Sequence, residues 1–401
     1  LIALLVSVII FLLYLIYERI VLNRRIRAVP LRISITGTRG KSSVTRLLAS
    51  VLREDGRKAL AKTTGSQAQY VLPDGREVDI SRRGITSIIE QKKLFKKAAD
   101  VNAGCIIAEI MSIHPENHYI ESHQLLKPHI VVITNVRRDH IDAMGKTEEE
   151  IASVLSLDIP ENAKVFVPEK ENRQLFKTAV KNSGGELITV QEGISSPLQH
   201  LAQKLKSQPE ADLPPVEKEF SDNIDLVYAL GKHLNISQKN ILDGILKVKH
   251  DIGKFKIWKY RAQEAQKTHY LVNGFAANDP ESTFHVISKV KEILPSASDK
   301  LTGLLSLRSD RGDRTVQWIE ALKNGACDCF NRIYVTGAHS KIVKRKLKRV
   351  HILKNKQPEK IMATIMAETE DQAVIFGFGN IVGTGRLLVD YWNEIGEEYG
   401  L

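Results

Sequence analysis

RISITGTRGKSSVTRLLASVLREDG, residues 32–56, sets the architecture of the chain. Arg32 to Ile35 reads as a short strand that runs straight into Gly37-Thr38-Arg39-Gly40-Lys41-Ser42-Ser43. Val44, Leu47, Leu48 and Val51 then recur at helical spacing, and Gly56 supplies a C-terminal stop. In such a strand, glycine loop and helix, residues without a Cβ let successive backbone N–H groups close round a phosphate. The helix N-terminus adds positive potential, and Lys41 adds a point charge for the terminal phosphates. Ser42 stands where a hydroxyl can ligate Mg²⁺. The usual phosphate loop has four residues between its glycines, whereas only Thr38 and Arg39 separate Gly37 from Gly40. An ordinary helix-capping turn would show the same glycines, but the flanking strand and amphipathic helix favour nucleotide binding.

Working outward, further apolar runs bounded by turn residues lie at Cys105 to Ala108, Ile130 to Thr134, Leu304 to Leu307, Ile333 to Thr336 and Ala373 to Phe376, with helical patterns between them. That alternation predicts an α/β chain with largely parallel sheets. The stretch from Gly193 to Ser221 is polar, carries Pro197, Pro209, Pro214 and Pro215, and reads as an exposed excursion. A second α/β run starts around Gly253. The expected organisation is a membrane anchor over residues 1–22, a central ATP-binding domain over 31–250 and a C-terminal ligase domain over 251–401.

The anchor rests on Leu1 to Tyr17, which contains no charge and only one strongly polar side chain, Ser7. A helix of that length reaches roughly 25 Å, near the lower limit for crossing a bilayer. Arg19, Arg24, Arg25 and Arg27 follow, and basic flanks stay on the cytoplasmic side, so the bulk of the chain is expected in the cytoplasm. A cleaved signal peptide would carry small residues after the apolar run, and none stand there. The 58 Lys and Arg against 47 Asp and Glu give a net charge of +11, which points to anionic partners. Cys105, Cys327 and Cys329 form neither a disulfide framework nor a zinc spacing.

Glu109 ends the run from Cys105, where a parallel sheet brings a carboxylate to the ligand crevice. Thr134-Asn135 ends the next run, and Asp139-His140-Ile141-Asp142 follows within a turn or two. Carboxylates and an imidazole thus converge on one sheet edge, where a hard cation and phosphates need ligands. A lone His is more often structural, so the weight of His140 comes from its neighbours.

The glycine loop with its double hydroxyl, the strand-end Glu, then Thr-Asn, Asp-His and Asp, in that order, resembles the central domain of the Mur ligases and folylpolyglutamate synthetases. Asn223, read as opening a helix through Leu230, sits like the family's adenine-contacting Asn, and Gly253-Lys254-Phe255-Lys256 resembles its segment at the domain junction. Asn278-Asp279-Pro280, Gly312-Asp313-Arg314 and Gly377-Phe378-Gly379 resemble landmarks of a Rossmann-like C-terminal domain. By that resemblance, Gly37, Thr38, Arg39, Gly40, Ser43 and Asn135 would join the nucleotide site. Lys41 would hold the β- and γ-phosphates, Ser42 and Glu109 one Mg²⁺, and His140 a second. Lys254 would replace an Arg at the γ-phosphate, although Lys cannot make the bidentate fork of Arg. Asn273-Gly274 and Ala277 also depart from the family pattern.

The anchor, Asp310-Arg311-Gly312-Asp313-Arg314-Thr315 and Gly377-Phe378-Gly379-Asn380-Ile381-Val382-Gly383 together resemble the ligase subunits of poly-γ-glutamate synthetases. The resemblance implies ATP and Mg²⁺ as cofactors, and an acyl phosphate on glutamate attacked by the next amine. It also implies glutamate, the growing polymer and small membrane subunits of an export complex as partners, with no nucleic acid. Only an apolar segment and a basic connector precede the glycine loop, so a UDP-linked precursor is not expected. His114, His118 and His140 are candidates by type for deprotonating the amine. Lys92, Lys93, Lys96 and Lys97, with Lys341, Lys344, Arg345, Lys346, Lys348 and Arg349, form basic clusters suited to an anionic polymer or simply solvated helix faces. A membrane-tethered NTPase acting on a polyanion such as nucleic acid, a folylpolyglutamate-type ligase and a silent scaffold stand as alternatives.

Overall fold

The computed structural model describes residues 2–64, 68–80, 86–198, 218–248, 255–262, 267–277, 279–294, 297, 299–309, 311–325 and 328–399. The chain falls into two compact units, Leu1–Lys249 and His250–Leu401.

The first unit begins with α1 (Ile2–Arg27), continues through β1 (Leu31–Thr36), α2 (Lys41–Glu54), β2 (Ala59–Lys62), β3 (Gln69–Val71), β4 (Glu77–Asp79), α3 (Glu90–Asp100), β5 (Cys105–Glu109) and α4 (Pro115–Tyr119), and then β6 (Ile130–Ile133), α5 (Ile141–Met144), α6 (Glu148–Ser156), β7 (Lys164–Pro168), α7 (Gln174–Ser183) and β8 (Glu186–Val190). The strands form one sheet in the order β4-β3-β2-β5-β1-β6-β7-β8. Pairing is parallel from β2 through β5, β1, β6 and β7 to β8, while β3 and β4 close one edge antiparallel. Ile33, Ile35, Ile106, Ile107, Val131 and Val132 are almost wholly buried, as expected of central parallel strands covered on both faces. β1 lies between β5 and β6, so the glycine loop, Glu109 and Thr134-Asn135 leave the sheet at neighbouring C-terminal ends. A parallel sheet gathers its ligand groups there.

α2 is buried over Val44 to Leu52, more completely than an amphipathic surface helix. Two helices cover it, Lys218–His233 and Gln238–Leu246. Gly244 permits this close approach, because a Cβ there would meet Val51 Cα at 2.5 Å. The first of these helices starts at Lys218, five residues before the Asn223 read as its opening, and Asn223 stands inside it. The polar stretch from Gly193 is not all excursion. Ser195 and Leu198 are buried, and Asp225 accepts the Gly193 and Ser195 N–H groups at 2.8 and 2.9 Å. Residues 199–217 lie outside the described part.

The apolar window of α1 is wholly exposed, but the helix runs unbroken past residue 22 to Arg27. Leu22, Ile26 and the following Val29 are buried in one core cluster with Leu94, Phe95 and Ala98 of α3.

In the second unit, β9 (Ile257–Ala262), β10 (Lys267–Asn273), β11 (Leu301–Leu307), β12 (Arg332–Gly337), β13 (Val350–Ile352), β14 (Ala373–Gly379) and β15 (Glu397–Glu398) form a sheet in the order β13-β12-β11-β14-β10-β9-β15. It is parallel from β13 to β10 and antiparallel at β9 and β15. Gly377 within Gly-Phe-Gly is a packing position, since a Cβ there would stand 2.4 Å from the Phe275 ring.

Candidate active site

The glycine loop is shaped by β6. Gly37 and Gly40 adopt φ of 118° and 82°, which L side chains rarely reach. A Cβ on Gly37 would meet Thr134 Oγ1 at 2.3 Å, and one on Gly40 would meet Asn223 Oδ1 at 2.6 Å. Thr38 N–H donates to Asn135 O at 3.0 Å, and Arg39 N–H donates to Asn135 Oδ1 at 3.0 Å. Asn135 Nδ2 and Thr134 Oγ1 in turn donate to Arg39 O at 3.1 and 2.6 Å. Thr-Asn therefore sets the curvature of the loop through its backbone. Asn223 is buried against Gly40.

The same two constraints make Gly40→Ala a sharp probe. A left-handed Cβ costs about 1–2 kcal/mol, and the clash with Asn223 adds to it. Equilibrium dialysis with an ATP analogue is expected to show at least about tenfold weaker binding, and unchanged binding would show that the loop does not need this curve.

At the start of α2, Lys41 Nζ donates to Gly37 O at 2.6 Å and Thr38 O at 3.3 Å, so the ammonium is folded back over its own loop. Ser43 lies in the same first helical turn. Ser42 Oγ donates to Glu109 Oε2 at 2.8 Å, and Thr64 N–H donates to the same oxygen at 2.8 Å. Glu109 is 3% exposed, so a carboxylate at the mouth of the loop is held by a hydroxyl and a backbone amide. Asp139 reaches Arg39 at 3.7 Å and accepts the His140 N–H at 2.9 Å, while His140 takes a left-handed conformation before α5. Among the described residues, no three His, Cys, Asp or Glu side chains converge as a metal cage. Lys254, Asn278 and Asp310 lie outside the described residues. Lys344 Nζ is committed to Lys348 O and Val350 O at 2.9 and 2.7 Å.

Sequence reasoning missed three supports. Asp158, fully buried, accepts from Thr36 Oγ1 at 2.5 Å and is paired with His118 Nδ1 at 2.9 Å. Burial works against a charged His118, but the Asp158 carboxylate and its hydrogen bond, with Glu121 behind them, outweigh it and raise the pKa. Glu121, also fully buried, accepts from Gln91 Nε2 and Ser112 Oγ, both at 2.5 Å, and from Ser112 N at 3.0 Å. Burial is the main reason its carboxyl is pushed up. It grips the segment that follows Glu109. Thr64 is the third. An acid flanked by apolar residues, as in Leu157-Asp158-Ile159, is the one signal that could have flagged such a position.

A glycine loop at the C-terminal edge of a parallel sheet, with a strand-end Glu facing the loop hydroxyl, defines a Mur-type ligase, and residues 35–224 match the Mur ligase middle domain. Solved structures share the fold over nearly the whole chain. Escherichia coli FolC in complex with ADP has a TM-score of 0.67 at 16% identity, covering 94% of each chain. A bifunctional folylpolyglutamate synthase/dihydrofolate synthase with Mn, AMPPNP and L-glutamate bound has a TM-score of 0.67 at 13% identity, covering 93% of this chain and 92% of that one. The class is that of ATP-dependent amide ligases. Within it, the chain belongs to the CapB family of poly-γ-glutamate synthases. Residues 259–395 match the CapB C-terminal domain, and PGA synthase CapB of Bacillus subtilis (strain 168) is 31% identical over 93% of this chain and 92% of its own length. The capsule biosynthesis protein CapB of Bacillus anthracis is 31% identical over 76% of this chain and 63% of its own.

Proposed function

We propose that this chain polymerises glutamate through γ-carboxylates, spending one ATP per amide. The reading is carried by the Ser42 to Glu109 contact at the mouth of the glycine loop, taken with membership of the CapB family. The γ-phosphoryl of ATP passes to an oxygen of the terminal γ-carboxylate, the bond to the β-phosphate oxygen breaks, and ADP leaves. The amine of the next glutamate then attacks the acyl carbon and loses a proton. The carbon–nitrogen bond forms, the carbon–oxygen bond to phosphate breaks, and inorganic phosphate departs. A loose phosphoryl transition state asks mainly for positioning and charge neutralisation. The N-terminus of α2 and Lys41 supply both, while the Thr38 and Arg39 amides, held by Asn135, fix the curve of the loop.

The Ser42 hydroxyl and the Glu109 carboxylate fit Mg²⁺, which is bound through one or two carboxylates together with waters and substrate phosphates. Ser42 and Glu109 would hold one ion and His140 a second, and bound Mg²⁺ neutralises charge on the phosphates. Arg39, Thr38, Ser43, Asn135, Asn223 and Lys254 are assigned to the nucleotide. α1 is taken as a single membrane-spanning anchor with both units in the cytoplasm, beside small membrane subunits that export the polymer.

Phosphate release by detergent-solubilised protein, with and without glutamate and short γ-glutamyl oligomers, tests this. Dependence on glutamate or oligomer, with a γ-linked product, is expected. Release indifferent to both would favour the tethered NTPase, and a dependence on folate would favour the folylpolyglutamate-type reading.

A further inference from the structure

The anchor helix is not a loose tether. It enters the first unit without a break, buries Leu22 and Ile26 against α3, and is clamped at its end by Arg32, whose guanidinium donates to Ile26 O at 3.2 Å and Val29 O at 2.9 Å. Lys92 in the first turn of α3 pairs with Glu18 at 2.9 Å, which fixes the start of α3 beside the first charged residue after the apolar window. Arg32 Nε also donates to Lys127 O at 2.9 Å, bringing that lysine to the same junction. The Lys127 pKa is lowered, first by partial burial and then by the nearby charges of Arg19, Arg27 and Arg32. At this level Ile89 is 56% exposed, and Lys93 and Arg19 also face solvent.

We propose that Arg19, Lys93 and Lys127, with Ile89 beside them, form a seat for anionic phospholipid headgroups that docks the ATP-binding unit on the bilayer at a fixed height. The proposal rests on reading α1 as a membrane span. The occupant follows from continuity and charge. A helix with an exposed apolar window leads directly into the cluster, and basic groups at that depth lie within reach of lipid phosphates. Lys93, which sequence alone also suited to an anionic polymer, is thereby turned to the membrane. An aliphatic side chain beside the cations can enter the headgroup region.

The full chain carrying Cys327→Ser and Cys329→Ser, with a nitroxide on Ile89→Cys or on Tyr14→Cys, tests this in nanodiscs of phosphatidylcholine with or without phosphatidylglycerol. The Tyr14 label should be shielded from an aqueous nickel chelate in both discs. The Ile89 label should become shielded only where phosphatidylglycerol is present, and Arg19→Gln, Lys93→Gln and Lys127→Gln together should abolish that gain, about fivefold in occupancy for each charge removed. A shielded Tyr14 label with an Ile89 label equally open in both discs overturns the seat and leaves the anchor standing. An open Tyr14 label overturns both. Shielding of Ile89 by added poly-γ-glutamate in phosphatidylcholine discs, with no effect of phosphatidylglycerol, would give the surface to the polymer and overturn the lipid assignment.

Discussion

Lys41→Ala is expected to give a folded chain whose rate of amide formation is lower by about 10²–10³-fold, the usual effect of removing one preorganised group from developing charge. The partners of Lys41 say why the fold should survive. Among the described residues its ammonium donates to Gly37 O and Thr38 O, neutral carbonyls of its own loop, so no buried charge loses its counterion. The same geometry says why activity should not. An ammonium held by two carbonyls of the phosphate loop is a charge in waiting, and a bound triphosphate offers it better partners. The measurement is glutamate-dependent release of ADP and phosphate under saturating ATP, with circular dichroism as the control for folding. Retention of more than a tenth of the rate would remove Lys41 from phosphoryl transfer. Lys41→Arg separates charge from shape, since a guanidinium keeps the charge but cannot fold into the same small space.

The parts of this site that were legible in the sequence are those written as local patterns. The six strands expected from apolar runs all form, because a central parallel strand is buried on both faces and needs an unbroken hydrophobic segment. β8 is another matter. Its burial alternates weakly along Glu186 to Val190, so an edge strand of mixed composition gave no clear period. The glycine loop could be placed by its spacing, but its curvature could not. That depends on Thr134 and Asn135, roughly a hundred residues downstream, and on Asn223 beyond them. Lys62 illustrates the limit well. It is wholly buried and paired with Glu90 at 3.5 Å, yet a single lysine at the end of a short strand looks like any solvated charge until the sheet is assembled. Buried polar residues draw their partners from distant elements, and no local period records them.

Asp158→Asn is the second large effect, and it acts from beneath the site. Asp158 is wholly buried between His118 on α4 and Thr36, the residue before Gly37, so one carboxylate ties a helix, the segment after α6 and the root of the glycine loop. Breaking such a buried pair costs about 3–5 kcal/mol, because the surviving charge is left without its partner. The folded pKa of His118 is raised above its ordinary value, burial being outweighed by Asp158. The contribution of the charged pair is therefore fully present below the unfolded pKa, near 6.5, and fades as pH rises through the folded value. Glu121 has a raised folded pKa as well and also weakens the fold as pH rises, but from the carboxylate range upward. The Asp158 charge is among the causes of that shift, so Asp158→Asn relieves part of it, and the wild type loses more stability from Glu121 as pH rises, in the same direction as from His118. The difference in stability between wild type and Asp158→Asn should thus be largest below pH 6.5 and shrink in alkali. Trp258, Trp318 and Trp392, the only tryptophans, all lie in the second unit, so their fluorescence is the wrong probe. Hydrogen exchange of the β1 and α4 amides in urea reports the first unit directly. A difference that stays constant from acid to alkali would mean that His118 is neutral in the folded chain and that Asp158 acts as a hydrogen-bond acceptor alone. In that case the glycine loop would be held by geometry without the aid of a buried charge.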